Sequence, residues 1–364
     1  MTTFTVQRSA SALSADQRRA ILDDPGFGRH FTDHMVSIRY HDDRGWYEPS
    51  VVPYGPISLD PATNFIHYGQ SIFEGMKAYR HPDGHIRTFR PLRNAHRFRS
   101  SARRLAMPEM PAELFIESLV QLAAVDGDWV PSDPEKSLYL RPFMFSTEVG
   151  LGVKPANEYQ YLLIASPAGA YFPRGVAPVS VWLTPDYVRA AVGGTGEAKC
   201  AGNYAASLIA QAEASLHGCD QVVWLDAKEH EWVEEMGGMN LFFVFGAGDS
   251  ARLVTPPLTG SLLPGVTRDS ILIMAQQDLG IQVSEEPISV AQWKAGCESG
   301  EITEVFACGT AAVVTPVGQV KSRVGAWTVA EGGAGPITMK LRNALLGLQS
   351  GQAPDKHAWM FELA

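Results

Sequence analysis

Lys199 is the residue whose surroundings point most directly to chemistry. It stands in Glu197-Ala198-Lys199-Cys200-Ala201-Gly202-Asn203-Tyr204, behind Gly193, Gly194 and Gly196, and ahead of an amphipathic run over 203–217 that reads as a helix. Small residues let a bulky ligand approach the backbone and let an ammonium lose its water. A desolvated lysine falls from its reference pKa of about 10.4 toward neutrality, the state in which an amine condenses with an aldehyde. A glycine-flanked lysine is also an ordinary loop residue, so the reading depends on what other segments supply.

Leu263-Pro264-Gly265-Val266-Thr267-Arg268-Asp269 supplies an anion site. Gly265 permits close approach, Thr267 reads as an N-cap, and a helix over 268–279 would aim its N–H groups and dipole at a phosphate. A plain capped helix has the same pattern. Trp232-Val233-Glu234-Glu235-Met236-Gly237-Gly238-Met239-Asn240 sets Glu235 at the end of a short strand before a glycine pair. Facing a cleft, that acid could hold a proton on a pyridine nitrogen; on a surface hairpin it would do nothing. Arg97, in Asn94-Ala95-His96-Arg97-Phe98, lies among Arg87, Arg90, Arg93, Arg99, Arg103 and Arg104, most of which read as a solvated helix face.

The elements that must position these groups follow from periodicity. The first thirty residues are polar and read as a loose arm. Strand character follows at 35–40, 46–52, 75–79 and 86–89, with Pro82-Asp83-Gly84 as a hairpin turn. Helical spacing covers 94–105 and 111–125, and strands return at 138–145 and 159–165. The stretch 167–178, rich in proline and glycine, reads as a linker. Beyond it, strands at 179–184, 221–226, 240–245 and 311–316 mix with helices at 203–217, 268–279 and 337–349, the first two of which stop at Gly218 and Gly280. The pattern is α+β in both halves: a smaller N-terminal domain over 1–170, a linker over 171–178 and a larger C-terminal domain over 179–364 carrying Lys199, with a cleft where they join.

Taken in order, these segments resemble the fold-type IV pyridoxal-phosphate enzymes, and most closely the branched-chain amino-acid aminotransferases. The resemblance covers nearly the whole chain. It includes Phe27-Gly28-Arg29-His30-Phe31-Thr32-Asp33-His34-Met35, the run from His67 to Tyr79, Phe89-Arg90-Pro91, Tyr139-Leu140-Arg141-Pro142 and Gly169-Ala170-Tyr171-Phe172. It continues through the segments already quoted, Gly309-Thr310-Ala311, and the tail from Gly335 to Gln349.

The resemblance implies a two-domain fold with pyridoxal 5'-phosphate in the cleft between domains, Lys199 as the Schiff-base lysine and proton carrier, Glu235 on the pyridine nitrogen and Tyr204 on the phenolic oxygen. It assigns the phosphate to Arg97, Val266, Thr267 and Thr310. It lines the substrate pocket with Phe73, Tyr171, Met239 and Ala311, gives the α-carboxylate to the backbone of Thr310 and Ala311, and sends Tyr139 and Arg141 toward the distal end of the substrate. Tyr68, Leu151 and Val153 would come across a homodimer interface. The implied reaction is a ping-pong exchange between leucine, isoleucine or valine and 2-oxoglutarate. D-amino-acid aminotransferase and aminodeoxychorismate lyase share the fold type, and a noncatalytic phosphate-ligand scaffold is the rival of another class. The thiol pair that some animal members carry after the Gly-Thr-Ala motif is replaced here by Ala312 and Thr315, so regulation by that route is not expected.

Composition bounds the remainder. The 364 residues, 45% hydrophobic and 19% charged with a formal net charge of −9, suit two soluble domains and disfavour a phosphate-backbone partner. Cys200, Cys219, Cys297 and Cys308 include no C-x-x-C pair, so no metal site is expected and Cys308 reads as a packing residue. The opening Met1-Thr2-Thr3-Phe4 lacks the basic start and apolar core of a signal peptide, and no apolar run reaches the ~18 residues of a membrane span, so the expected location is the cytoplasm.

Overall fold

The computed structural model describes residues 3–169 and 176–364, and these divide into two compact units. The first takes in the described residues up to 169 with Ala198–Ala201 and Gly347–Ala364, and the second takes in 176–197 and Gly202–Leu346.

In chain order the first unit holds strand β1 (Thr5–Val6), helix α1 (Ala15–Asp23), β2 (His34–His41), β3 (Gly45–Pro53), α2 (Asn64–Tyr68), β4 (Ser71–Phe73), β5 (Met76–Arg80), β6 (Ile86–Phe89), α3 (Pro91–Arg104), α4 (Ala112–Asp126), β7 (Ser137–Ser146) and β8 (Glu158–Ala168). The second holds β9 (Val179–Leu183), α5 (Ala201–Leu216), β10 (Gln221–Leu225), β11 (Val233–Met236), β12 (Met239–Phe245), β13 (Arg252–Thr255), α6 (Val266–Gln277), β14 (Gln282–Glu285), α7 (Val290–Ser299), β15 (Ile302–Gly309), β16 (Val313–Ser322) and β17 (Gly325–Thr328). Helix α8 (Pro336–Gln349) runs from the second unit into the first, which ends with β18 (Met360–Glu362).

The first sheet runs β1-β3-β2-β8-β7-β5-β6-β18, with β4 paired on β7. Its longest strands alternate as a half-buried sheet requires. In β7, Leu138, Leu140, Pro142 and Met144 point into the core, while Tyr139, Arg141 and Phe143 share the opposite, half-buried face. Phe98 of α3, Phe115 of α4 and Tyr161 of β8 pack ring on ring at 5.5–6.2 Å between centroids, and the Tyr161 hydroxyl finds Ser118 Oγ at 2.8 Å. The second sheet runs β11-β10-β9-β16-β15-β12-β13-β14. Because β11 also pairs with β12, six of its strands close on themselves and leave no edge between them.

Several expectations need correction. The division at 171–178 places Lys199 and the C-terminus with the second domain; the structure puts both in the first unit. Ile72 forms an antiparallel bridge with Cys200, and β18 completes the first sheet against β6, with Met360 opposite Phe89. Of the expected linker, positions 171–175 lie outside the described residues, as does Tyr171. The opening arm is not loose: β1 pairs with β3, Leu13 N–H donates to Asp33 Oδ1 at 2.9 Å and Ser9 N–H to His34 Nε2 at 2.8 Å. The helix after Pro264 starts at Val266 with Gly265 as its N-cap, so Thr267 lies inside the first turn rather than capping it. The strand expected from Ala311 starts at Val313, because Thr310, Ala311 and Ala312 form the turn from β15.

Candidate active site

Lys199 is built into the first unit by its backbone. Its N–H donates to Ser101 Oγ of α3 at 2.9 Å, and its carbonyl accepts from Phe73 N–H at 3.0 Å. The side chain is half-buried, with Nζ 4.8 Å from the centre of the Phe73 ring. Burial pushes the amine down to about 8; Arg97 and Arg141 push the same way, against Glu74 and Tyr139.

The carboxylate beside it is one the sequence did not single out. Glu74 is fully buried and accepts Arg97 Nε on Oε1 and Arg97 Nη2 on Oε2, each at 2.8 Å, with Asn94 Nδ2 also on Oε2 at 2.8 Å. Burial alone would raise its pKa, but the charge and hydrogen bonds of Arg97, with Lys199 and Asn94, hold it below the usual range. Arg97 therefore meets Glu74 first, whatever else its guanidinium touches.

Tyr139 and Arg141 lie two residues apart on β7 and so share a face. Arg141 Nη2 donates to the Tyr139 hydroxyl at 3.1 Å, and its guanidinium lies 4.8 Å from the centre of the Phe73 ring. Gly75 is required here, since a Cβ would fall 2.0 Å from the Tyr139 hydroxyl oxygen. Lys199, Phe73, Tyr139, Arg141, Glu74 and Arg97 thus form one cluster within the first unit.

The second unit assembles its own cluster. Glu235 Oε1 accepts Leu263 N–H at 2.8 Å and Asn240 Nδ2 at 3.1 Å, while Oε2 lies 2.8 Å from Arg189 Nε in an ion pair whose N–H is not aligned for a hydrogen bond. Gly265 sits against the same asparagine: a Cβ there would meet Asn240 Oδ1 at 2.1 Å. The start of α6, which no side chain caps, is thereby held next to the Glu235 network, with Val266 and Thr267 in its first turn. Tyr204 of α5 lies beside Gly238, 3.6 Å from where a Cβ would stand, and Met239 lies beside Gly309, the residue before Thr310 and Ala311.

The amino-transferase class IV family matches residues 71–320. The chain belongs to that family. Among its relatives, the branched-chain-amino-acid aminotransferase of Mycolicibacterium smegmatis is 62% identical over 99% of this chain and 98% of its own length. The enzyme of the same name from Mycobacterium tuberculosis (strain H37Rv) is 59% identical over 99% and 98%. Of solved structures, the Escherichia coli branched-chain amino acid aminotransferase superposes with a TM-score of 0.74 at 29% identity, covering 90% of this chain and 100% of that one. The T.th. branched-chain amino acid aminotransferase with pyridoxamine 5'-phosphate gives 0.75 at 28%, covering 90% and 99%.

In this class IV aminotransferase the residues assigned to an interface form an exposed patch on the first unit. Leu151 and Val153 are 64% and 83% exposed, and the Tyr68 hydroxyl donates to Leu151 O at 2.5 Å. Sequence reasoning missed Glu74, Ser101 and Arg189. Only Glu74 lay inside a quoted motif, and nothing in that motif pointed to Arg97 as its partner. Cys308 is buried and burial pushes its thiol up, as befits a packing residue. Among the described residues no helix is long and apolar enough to cross a membrane, and no group of three or more His, Cys, Asp and Glu is placed to hold a metal.

Proposed function

We propose that this chain is a branched-chain-amino-acid aminotransferase that works with pyridoxal 5'-phosphate, exchanging amino groups between leucine, isoleucine or valine and 2-oxoglutarate in a ping-pong cycle. The observation that carries the reading is Lys199, an amine at about 8 held beside the Arg97–Glu74 ion pair and the Phe73 ring. Near neutral pH part of it is unprotonated and able to attach an aldehyde, then to move a proton at the substrate Cα.

The donor set suits the cofactor. When bound, pyridoxal phosphate supplies an aldehyde that takes up the amino group and a ring that withdraws electrons from Cα. Glu235 is fixed as an acceptor by Leu263, Asn240 and Arg189, which suits the proton of a pyridine nitrogen. The uncapped N-terminus of α6 at Val266 and Thr267 suits a phosphate, with Thr310 and Arg97 as further donors. A guanidinium carries five N–H groups, so the bonds of Arg97 to Glu74 are compatible with the phosphate role. Tyr204 would take the phenolic oxygen.

Phe73, Tyr139, Tyr171, Met239 and Ala311 would line an apolar substrate pocket, with the Thr310 and Ala311 backbone on the α-carboxylate and Arg141 on the distal carboxylate of glutamate. Tyr68, Leu151 and Val153 would be covered by a second copy, since an exposed apolar patch of this kind marks an interface. The chain would then act as a homodimer in the cytoplasm.

A parallel assay of L-leucine, D-alanine and aminodeoxychorismate tests the reading. Turnover of L-leucine with 2-oxoglutarate is expected. Turnover of either other substrate alone would assign the chain to a sister activity of the fold type, and failure of borohydride to fix added pyridoxal phosphate covalently at Lys199 would leave a noncatalytic scaffold.

A further inference from the structure

Strand β11 contains a bulge. Trp224 of β10 stands opposite Glu235 and Leu225 opposite Val233, so Glu234 has no partner on β10. Neighbours in a regular strand point to opposite faces, and an extra residue re-aims the side chains around it. Here both glutamates reach one loop: Glu234 Oε1 accepts from Ser261 Oγ, and Glu235 Oε1 accepts from Leu263 N–H at 2.8 Å. Arg189 ties the two ends together. Its Nη2 donates to Ser261 O at 2.5 Å and to Gly196 O at 3.0 Å, and its Nε sits 2.8 Å from Glu235 Oε2.

Two buried carboxylates in the field of one guanidinium, only one of them ion-paired to it, do not ionise equally, and the donors decide between them. Glu235 receives two N–H groups and the arginine. Glu234, 6% exposed, receives one hydroxyl, and its Oε2 is buried without a hydrogen-bond partner. We propose that Glu234 is a positioning residue for Glu235: it stays in the fold as a neutral acid tethered by Ser261, and by withholding a second negative charge it leaves Arg189 committed to the Glu235 carboxylate. The role rests on the reading of Glu235 as the partner of the pyridine nitrogen.

Burial drives Glu234 above its ordinary range; the Ser261 hydroxyl and Arg189 oppose this, and Asp226, just beyond the end of β10, adds to it. Thr259 Oγ1, 2.9 Å from Ser261 Oγ, completes the polar groups at the tether. As pH rises the Glu234 proton is lost, Arg189 faces two anions, and its hold on Glu235 weakens.

Infrared spectra of the cofactor-free protein test the proton directly. Wild type should keep a protonated-carboxyl band above pH 4.5, the ordinary glutamate value; the band should be missing from Glu234→Gln and retained in Glu235→Gln. No loss of the band in Glu234→Gln overturns the proposal. Should that variant not fold, Ser261→Ala serves instead, because removing the hydroxyl should move the bleaching of the band to higher pH; an unmoved band overturns it equally. With nitrogen-15 pyridoxal phosphate bound, the ring-nitrogen signal should shift as the band bleaches in wild type and not in Glu234→Gln. The same shift in both proteins also overturns the coupling. A ring signal in Glu235→Gln identical to wild type would instead remove Glu235 from the pyridine nitrogen, while the infrared result continues to decide the state of Glu234.

Discussion

Each unit sets a buried carboxylate in an ion pair with a buried arginine, Glu74 with Arg97 and Glu235 with Arg189, and the two pairs do opposite things. In the first, Glu74 and Arg97 meet through two hydrogen bonds of 2.8 Å, with side chains 0% and 9% exposed. Their charges largely cancel at Lys199, so burial dominates and the amine falls to about 8. In the second, Arg189 approaches Glu235 through one ion pair while two N–H donors hold the other oxygen. There the charge is fixed rather than cancelled. The same pair of residue types therefore stands beside a desolvated amine in one place and holds a carboxylate among N–H donors in the other, according to how many bonds they share and what stands beside them.

The sharpest way to break this comparison is to remove the group that the first pair serves. Lys199→Ala should lower transamination by at least about 1000-fold, within the range of about 100- to 10,000-fold for losing a proton carrier, while leaving the fold intact by circular dichroism. Turnover within tenfold of wild type would take Lys199 out of the mechanism. The pair itself comes next. Glu74→Ala takes the carboxylate away from a buried guanidinium and should destabilise the cofactor-free protein by about 3–5 kcal/mol, read from urea midpoints at constant m. A loss under about 1 kcal/mol would mean that the pair is no stronger than a surface bridge.

On the other side, Glu235→Gln should slow both half-reactions by about 10–100-fold, the worth of one charge-assisted hydrogen bond at 1.5–3 kcal/mol, and barely alter cofactor retention on dialysis. An unchanged single-turnover rate with L-leucine would show that another group serves the ring nitrogen.

What could be read beforehand divides along the same line. Lys199 and Glu235 stood out as candidates because each stands in a local context, glycines around one and a hairpin after the other, that a short window of sequence displays. Glu74 was not, because its meaning lies in Arg97, 23 residues away, and nothing local distinguishes it among the 39 acidic residues. Arg189 and the bulge at Glu234 were hidden for the same reason: a bulge is a property of pairing with β10, not of Val233-Glu234-Glu235 itself. Strands β5 and β7 were visible from their alternation, whereas β4, which carries Phe73 to Lys199, was too short to show one, and the return of β18 onto β6 depends on a register between distant segments that no periodicity encodes.

Arg141 allows a finer cut, because it neighbours Lys199 without belonging to the ion pair. Arg141→Met should reduce the glutamate and 2-oxoglutarate half-reaction by about 10–100-fold, again one charge-assisted hydrogen bond, and largely spare leucine, which has no distal carboxylate. Its bond to the Tyr139 hydroxyl at 3.1 Å gives the competing account, in which it merely props the tyrosine. Equal losses in the two half-reactions, followed separately by the absorbance of the cofactor, would decide for the prop.

The smallest expected effect tests the cancellation itself. Lys199 sits at about 8 in the fold against an ordinary 10.5, so between those pH values the unfolded chain binds a proton that the folded chain does not. Stability of the cofactor-free protein should therefore gain from this group as pH rises across that window, by at most about 1.4 kcal/mol per pH unit, and the contribution should be flat below it. Lys199→Met lacks the group and should lose that slope, so the difference between the two stability curves isolates it from every other titration. Glu74 raises the lysine, and in Glu74→Gln the lower edge of the window should move below 8. Parallel curves for wild type and Lys199→Met would mean that water reaches the amine, and that the Glu74–Arg97 pair leaves no desolvated base behind it.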